Sequence, residues 1–331
     1  MNRIILALLC VTLFSCKQES KKEEEQSLKN TLVEGDIFGT FYQVTYDSEV
    51  NYETQFDSLF HVINKSMSTY QVNSDISKIN RNEAVEVDAH FKNVFKTSKE
   101  IFHETNGAFD PTIGALVNAW DFGPEGRIAN LDSLKINNLM LSVGFDKVSL
   151  VENKIAKPQN AFIDFNAIAK GYAVDVIAAF LDNNNVANYI VNIGGELNSK
   201  GVNVDKKLGW TVGVENPNFD GTQSWDKVFV LKDEAMATSG VYRKFKVDEN
   251  GNRYAHIIDA KTGYPSKTNL LSISVIADNC MTADAYATAF KAMGIEKIKE
   301  FLKTHPDLKV YLIFENGKKE FETLALNDFP E

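Results

Sequence analysis

The chain of 331 residues carries 35 Lys and Arg against 45 Asp and Glu, a net charge of −10, with 44% hydrophobic and 24% charged residues. That composition excludes wholesale disorder and a polytopic membrane protein. The acidic balance, without a dense basic run, argues against a nucleic-acid binder, because counterion release needs clustered Lys and Arg; three cysteines build no disulfide framework.

The chain opens on Asn2 and Arg3 and an apolar run from Ile4 to Phe14. A basic start and a short greasy stretch mark a secretory signal, too short to span a bilayer as a mature helix. The run ends in Leu13-Phe14-Ser15-Cys16, which resembles a bacterial lipobox, with Phe14 bulky for its place. The expectation is a signal over residues 1–15, removed in processing, and a palmitate-type acyl anchor on Cys16. A plain cleaved signal with a chance cysteine is the bland alternative. Lys17 to Gln26 offers no apolar side chain to bury, so residues 16–30 read as a solvated tether and 31–331 as the folded domain.

Ile37 to Tyr46 alternates and is aromatic-rich, which predicts a strand. Phe56, Leu59, Phe60 and Ile63 form a helical stripe over Thr54 to Met67, and Val94 to Thr105 also reads as helix. After a break at Gly107 to Thr112 come a short helix through Trp120, a helix over Asp132 to Leu139, and two short strands at Lys147 to Leu150 and Lys154 to Ala156. Ala167 to Asn183 predicts an amphipathic helix. Tyr189 to Ile193, Trp210 to Val214, Lys227 to Lys232, Ser272 to Ala277 and Lys309 to Phe314 predict strands. Thr282 to Met293 and Ile295 to Lys303 predict helices. Strands and helices mix without regular alternation, so the fold class is α+β.

Several short stretches could carry chemistry. Asp284 and Thr288 are four apart, so one helix face holds both; two hard oxygens among alanines suit Mg²⁺. An acid favourable to the helix dipole plus an ordinary threonine explains the spacing as well, and more often. Asp164 sits where an apolar run gives way to the predicted helix, so it is placed either to cap that helix or to border an anion site, with Lys170 as a point charge for phosphate or a solvated lysine. Gly194-Gly195-Glu196 after a strand permits close approach to a ligand or a tight turn. His256, in an apolar run leading into a turn, suits acid–base work if it lines a pocket and is otherwise structural. Zinc spacing, a GxSxG elbow, a GxGxxG fingerprint and a Walker-type lysine are absent from the sequence.

Taken in order, these stretches are specific. Gly39-Thr40, Met67 to Tyr70, Ser74 to Asn80, Gly107 to Thr112, Trp120 to Gly123, Asp164 to Tyr172, Asn192 to Glu196, Thr238 to Gly240, His256 to Pro265 and Ala283 to Ala285 with Thr288 form a series that resembles the FAD:protein FMN transferase (ApbE) family of flavin-handling lipoproteins. The resemblance runs over roughly residues 31 to 315. It implies a two-lobed, T-fold-like α+β domain that binds FAD as substrate with Mg²⁺ at the pyrophosphate, moves FMN onto a Thr or Ser hydroxyl of a partner protein and releases AMP. Subunits of membrane redox complexes, Rnf-type or sodium-pumping NADH:quinone reductases, are the implied partners. The implied metal ligands are Asp284, Thr288 and the carbonyl of Ala167; the implied FAD contacts are Tyr70, Ala108, Phe109, Asp110, Asp164, Lys170 and Ile258, with Tyr70 and Phe109 stacking on a ring; His256 is the implied catalytic histidine, beside Asp284. Phe38 stands where the family often has Met. Mg²⁺-dependent FAD hydrolysis and a non-catalytic flavin-carrying lipoprotein are the competing functions.

Overall fold

The computed structural model describes residues 29–240, 245–247 and 253–331. The signal segment, Cys16 and most of the tether lie outside the described residues.

Strands β1 (Thr31–Ile37) and β2 (Thr40–Tyr46) precede helices α1 (Glu53–Met67), α2 (Asp75–Asn80), α3 (Ala89–Glu104), α4 (Gly114–Ala119) and α5 (Ser133–Met140). The small ladder of β3 (Ser149–Val151) and β4 (Lys154–Ala156) leads to α6 (Ala169–Asn183). Then come β5 (Tyr189–Ile193), β6 (Glu196–Lys200), β7 (Val202–Asn203), β8 (Leu208–Glu215), β9 (Trp225–Leu231), β10 (Ala235–Gly240), β11 (Phe245–Val247), β12 (Arg253–Ala255) and β13 (Leu270–Ala277). Helices α7 (Cys280–Met293) and α8 (Ile295–Leu302) and strands β14 (Lys309–Glu315) and β15 (Phe321–Leu326) follow.

An eight-stranded sheet, ordered β1-β2-β5-β6-β10-β13-β14-β15, organises the domain. Each neighbouring pair in it is antiparallel. The pleat sorts its side chains. Val191, Ile273, Val275, Val310 and Leu312 join a core with α1, α3, α6 and α7. Their neighbours Leu197, Met236, Ile276, Tyr311 and Ile313 point the other way, onto Val212, Val214, Phe229 and Leu231 of the three-stranded sheet β7-β8-β9. The result is three layers: helices, large sheet, small sheet. α+β is the observed class.

Local chemistry sets the element ends. Ser74, Asp88, Asp132 and Asn279 accept from backbone amides and cap α2, α3, α5 and α7. The single strand expected over Ile37 to Tyr46 is a hairpin, because Phe38 and Gly39 take positive φ (52° and 72°) and turn the chain in two residues. Left-handed backbone costs Phe38 about 1 kcal/mol; its ring meets Phe60 edge-on at 5.7 Å, which holds it there. Helix α6 begins at Ala169, two residues later than the periodicity suggests, and residues 166–168 form a turn instead.

Candidate functional site

Helices α6 and α7 meet at their N-terminal ends, and the contact is made possible by Gly171. A Cβ at this position would stand 2.3 Å from the Cys280 carbonyl oxygen and 2.9 Å from the Asp284 Cβ. The Gly171 amide donates to Asp284 Oδ2 at 3.1 Å. Had the helix continued regularly, that amide would have closed on the carbonyl of Ala167, one turn earlier. Among the described residues no donor reaches the Ala167 carbonyl. Thr288, half-buried one turn beyond Asp284, spends its hydroxyl on no partner among the described residues. Three hard oxygens are therefore uncommitted around one helix junction: the second oxygen of Asp284, the Thr288 hydroxyl and the Ala167 carbonyl. Asp175 fixes the junction from α6, accepting from the amides of Cys280 and Met281 at 2.8 Å each.

The junction is electrostatically unusual. Asp284 is buried and has no ion-pair partner among the described residues; burial raises its pKa, partly opposed by the Lys170 ammonium. Lys170 ion-pairs with Glu196, which is 3% exposed and leaves Oε2 without a hydrogen bond. Burial pulls Lys170 down, and Glu196 and Asp284 outweigh it, so its pKa is raised. Burial also raises Glu196. Lys170 is thus partly exposed and held by Glu196 rather than free in solvent. Gly194 and Gly195 (φ 63° and 105°) form the tight turn that delivers Glu196 into β6.

Asp164 lies five residues before α6 rather than at its cap. Its oxygens accept from the amide and side chain of Asn166 at 2.7 and 3.1 Å, and burial raises its pKa to about 6. The backbone there is clamped twice. Asn80 donates to the Ile163 carbonyl at 2.9 Å and accepts from its amide at 2.8 Å, and the Asp164 amide donates to the Pro111 carbonyl at 2.8 Å. Tyr70, 60% exposed, is close enough for Asp164 to raise its phenol, after burial. Its ring is available for stacking. Phe109 is not: it is 3% exposed and belongs to the main core, the ordinary explanation for a buried aromatic. Half-buried Ala108 precedes it, its amide on the Thr105 carbonyl. Asp110 is buried and accepts from Thr112 amide and hydroxyl at 2.8 and 2.6 Å; its pKa is raised by burial.

His256 follows β12 in a bend, partly buried, its ring 6.2 Å from Phe122. Ile258 packs in a satellite core with Leu116, Ile136 and Val143. The loop after it is tied on two sides. Trp120 Nε1 donates to the Gly263 carbonyl at 2.9 Å, and the hydroxyls of Ser266 and Thr268 donate to the Lys291 carbonyl at the end of α7. Hydrogen bonds therefore join the segment at 110–111 to that at 164 and the start of α6 to Asp284, while the loop after Ile258 is tied to Trp120 and to the C-terminal end of α7. Asp175, Asn80 and the acceptor role of Glu196 were not singled out from sequence; an acid within an otherwise apolar helix face was the available signal for Asp175.

Donor chemistry decides between metals. Among the described residues no group of three His, Cys, Asp or Glu is placed to hold an ion, which misfits zinc. One carboxylate with a hydroxyl and a carbonyl fits Mg²⁺, which shares its shell with phosphates and water. A cavity of about 470 Å³ lined by Asp36, Ile37, Phe38, Gly39 and Thr40 opens at the first hairpin, whose Thr40 lies against Gly194.

The family model for ApbE matches residues 38–312. The chain belongs to the ApbE family. An FAD:protein FMN transferase of Haemophilus influenzae is 36% identical over 95% of this chain and 93% of its own, and one of Vibrio cholerae is 33% identical over 92% and 94%. Among solved structures, the flavin transferase ApbE from Vibrio cholerae matches with a TM-score of 0.81 at 31% identity, covering 90% of this chain and 97% of that one. The ApbE protein of Thermotoga maritima matches at 0.77 and 27%, covering 89% and 96%. The ApbE match includes Tyr70, Asp110, Asp164, Lys170, Glu196, His256, Asp284 and Thr288.

Proposed function

We propose that this chain is an FAD:protein FMN transferase that moves FMN from FAD onto a Thr or Ser hydroxyl of a recipient protein and releases AMP, with Mg²⁺ at the pyrophosphate. The observation that carries the reading is the trio of uncommitted oxygens at the α6–α7 junction of an ApbE-family chain. Asp284, Thr288 and the Ala167 carbonyl would hold the ion. Mg²⁺ there supplies positive charge to the pyrophosphate oxygens as the anhydride breaks.

The chain's own groups do the rest. Gly171 donates to one Asp284 oxygen and leaves the other free. Lys170, pinned by Glu196, would set an ammonium near the pyrophosphate. Tyr70 offers a ring face to the isoalloxazine or adenine. Ala108, Asp110, Asp164 and Ile258 would complete the FAD contacts. The acceptor oxygen forms a phosphoester with the FMN phosphorus while the bond to AMP breaks, and His256 takes the hydroxyl proton. A subunit of an Rnf-type or sodium-pumping NADH:quinone reductase fits as recipient, and a Cys16 anchor would hold the enzyme at a membrane outside the cytoplasm.

Mass spectrometry of a recipient subunit incubated with the protein, FAD and Mg²⁺ tests the reading. An FMN adduct on Thr or Ser is expected, lost with Asp284→Ala. Free FMN without adduct would favour hydrolysis; intact FAD would sink the enzyme reading.

A further inference from the structure

The β7-β8-β9 sheet is apolar on both faces. Its inner face packs on the large sheet through Val212, Val214, Phe229 and Leu231. Its outer face carries Val202, Trp225, Val228 and Val230, which are 44%, 61%, 54% and 49% exposed. Register puts them together: Val202 opposes Gly209, Val230 opposes Thr211, and Val228 opposes Gly213. The two glycines let the larger side chains lie flat. A Cβ on Gly209 would stand 2.3 Å from Val230 Cγ1, and one on Gly213 would stand 2.6 Å from the Trp225 ring. An outer sheet layer is ordinarily polar, so a contiguous exposed patch of this kind marks a binding surface.

The path of the chain indicates what covers it. Asn30, where the tether joins the domain, donates through its backbone to Asp205 at 3.3 Å and through its side chain to Asn203 at 2.9 Å. Both partners lie at the β7–β8 turn, on the edge of this sheet, where Lys206 and Lys207 are exposed. Lys17 to Gln26 has no apolar side chain, so that segment is not the occupant. Cys16 stands only 14 residues before Asn30 in the sequence. A lipid at Cys16 would therefore tether the domain at this edge. A flat Trp/Val surface with two neighbouring lysines has the chemistry of a membrane interface.

We propose that the outer face of the β7-β8-β9 sheet rests on the lipid bilayer. The proposal depends on the Cys16 anchor. It has a functional consequence. Glu196 and Leu197 are successive residues of β6, and Leu197 faces the small sheet, so the Lys170–Glu196 pair lies on the opposite, helix-covered side of the large sheet. The resting domain would turn its FAD site toward the aqueous side, where a recipient threonine stands clear of the lipid.

The test uses the full chain, processed in a lipoprotein-competent host and reconstituted with phosphatidylethanolamine/phosphatidylglycerol vesicles whose acyl chains are brominated. Trp225 is read as the difference between wild type and Trp225→Phe, because Trp120 and Trp210 also emit. About twofold or greater quenching of that difference signal is expected. Val228→Asp/Val230→Asp should abolish it while the protein still co-floats with vesicles and retains wild-type FMN transfer in detergent. A co-floating protein whose Trp225 signal is unquenched overturns the proposal and leaves the anchor standing. A chain that does not co-float overturns both. Unquenched Trp225 combined with weaker recipient labelling by Trp225→Phe assigns the face to a protein partner and also overturns it.

Discussion

Gly171→Ala isolates the helix junction. Two effects oppose. Ala in place of Gly inside a helix gains about 1 kcal/mol from backbone entropy and propensity. The new Cβ would lie 2.3 Å from the Cys280 carbonyl oxygen and 2.7 Å from its carbon. Those are backbone atoms of the first turn of α7, held by Asp175, and they cannot rotate away. Reaching ordinary contact needs the helices to part by about 1 Å, and overpacking of this kind costs about 1–3 kcal/mol. The clash therefore leaves a net cost of about 0–2 kcal/mol. In a domain of this size that lowers Tm by up to about 4 °C, at about 2 °C per kcal/mol. The functional loss should be larger than the stability loss. Separation stretches the 3.1 Å bond from Gly171 to Asp284 and moves the Ala167 carbonyl away from α7, and a 1 Å displacement at a reacting centre costs about 10²-fold. Thermal denaturation, Mn²⁺ titration followed by electron paramagnetic resonance, and recipient labelling measure the three quantities. A Gly171→Ala protein with wild-type Tm and wild-type Mn²⁺ affinity would refute the junction as the ion's cradle.

Three further outcomes are expected. Asn80→Ala strips both partners from the buried Ile163 backbone; at about 1–3 kcal/mol per orphaned group it should lower the urea midpoint and, through Asp164, raise the KM for FAD more than it lowers kcat. Tyr70→Ala removes an exposed ring, so stability should stay within about 0.5 kcal/mol of wild type, while FAD affinity falls roughly tenfold in a fluorescence titration and Tyr70→Phe restores it. Lys291 is 1% exposed, bonded to Thr268 at 2.9 Å and to the Leu270 carbonyl, and burial lowers its pKa to about 8. The unfolded chain therefore holds a proton that the fold sheds, and stability contributed by this group should rise as pH climbs from about 8 toward 10, by about 2 kcal/mol. Lys291→Met should flatten that rise in denaturant titrations at pH 8, 9 and 10; an unchanged slope would show that the amine is not the titrating group.

What could be read before folding was what is local. Asp284 and Thr288 share a helix face because four residues make one turn, and no tertiary contact alters that. The strands with alternating large side chains, such as β5, were legible to the residue. β6 and β10 were not. Glu196-Leu197-Asn198-Ser199-Lys200 is polar because Glu196 pairs with Lys170 and Ser199 bonds backbone, and Ala235 to Gly240 is built of small residues that make room for α7. Both violate strand propensity for a tertiary reason. The surroundings of Lys170 and Phe109 are tertiary in the same way. Lys170 meets Glu196, 26 residues away, only once the large sheet has formed, and Phe109 is assigned to the core by packing that no spacing encodes.

Charge at the junction links these observations to the chemistry. Burial raises the pKa of Asp284, Glu196 and Asp175; Asp284 adds to that rise at the other two, and Lys170 opposes it at Asp284 and Glu196. Water would pay the desolvation cost of three anions poorly here, because the Glu196 Oε2 has no hydrogen bond and Asp284 has no ion pair among the described residues. Well-packed apolar groups would serve stability better than this arrangement does. A dense negative cluster retained at such a cost makes physical sense if a divalent cation completes it. That account also explains why Lys170 is tied to Glu196. A free lysine beside Asp284 would neutralise the carboxylate by itself and occupy the ground that the proposed ion would take. Drawn aside onto Glu196, it keeps the local charge from rising further and leaves the Asp284 oxygen open. Glu196→Gln should release Lys170 toward Asp284, so Mn²⁺ affinity should fall although no metal ligand has been touched.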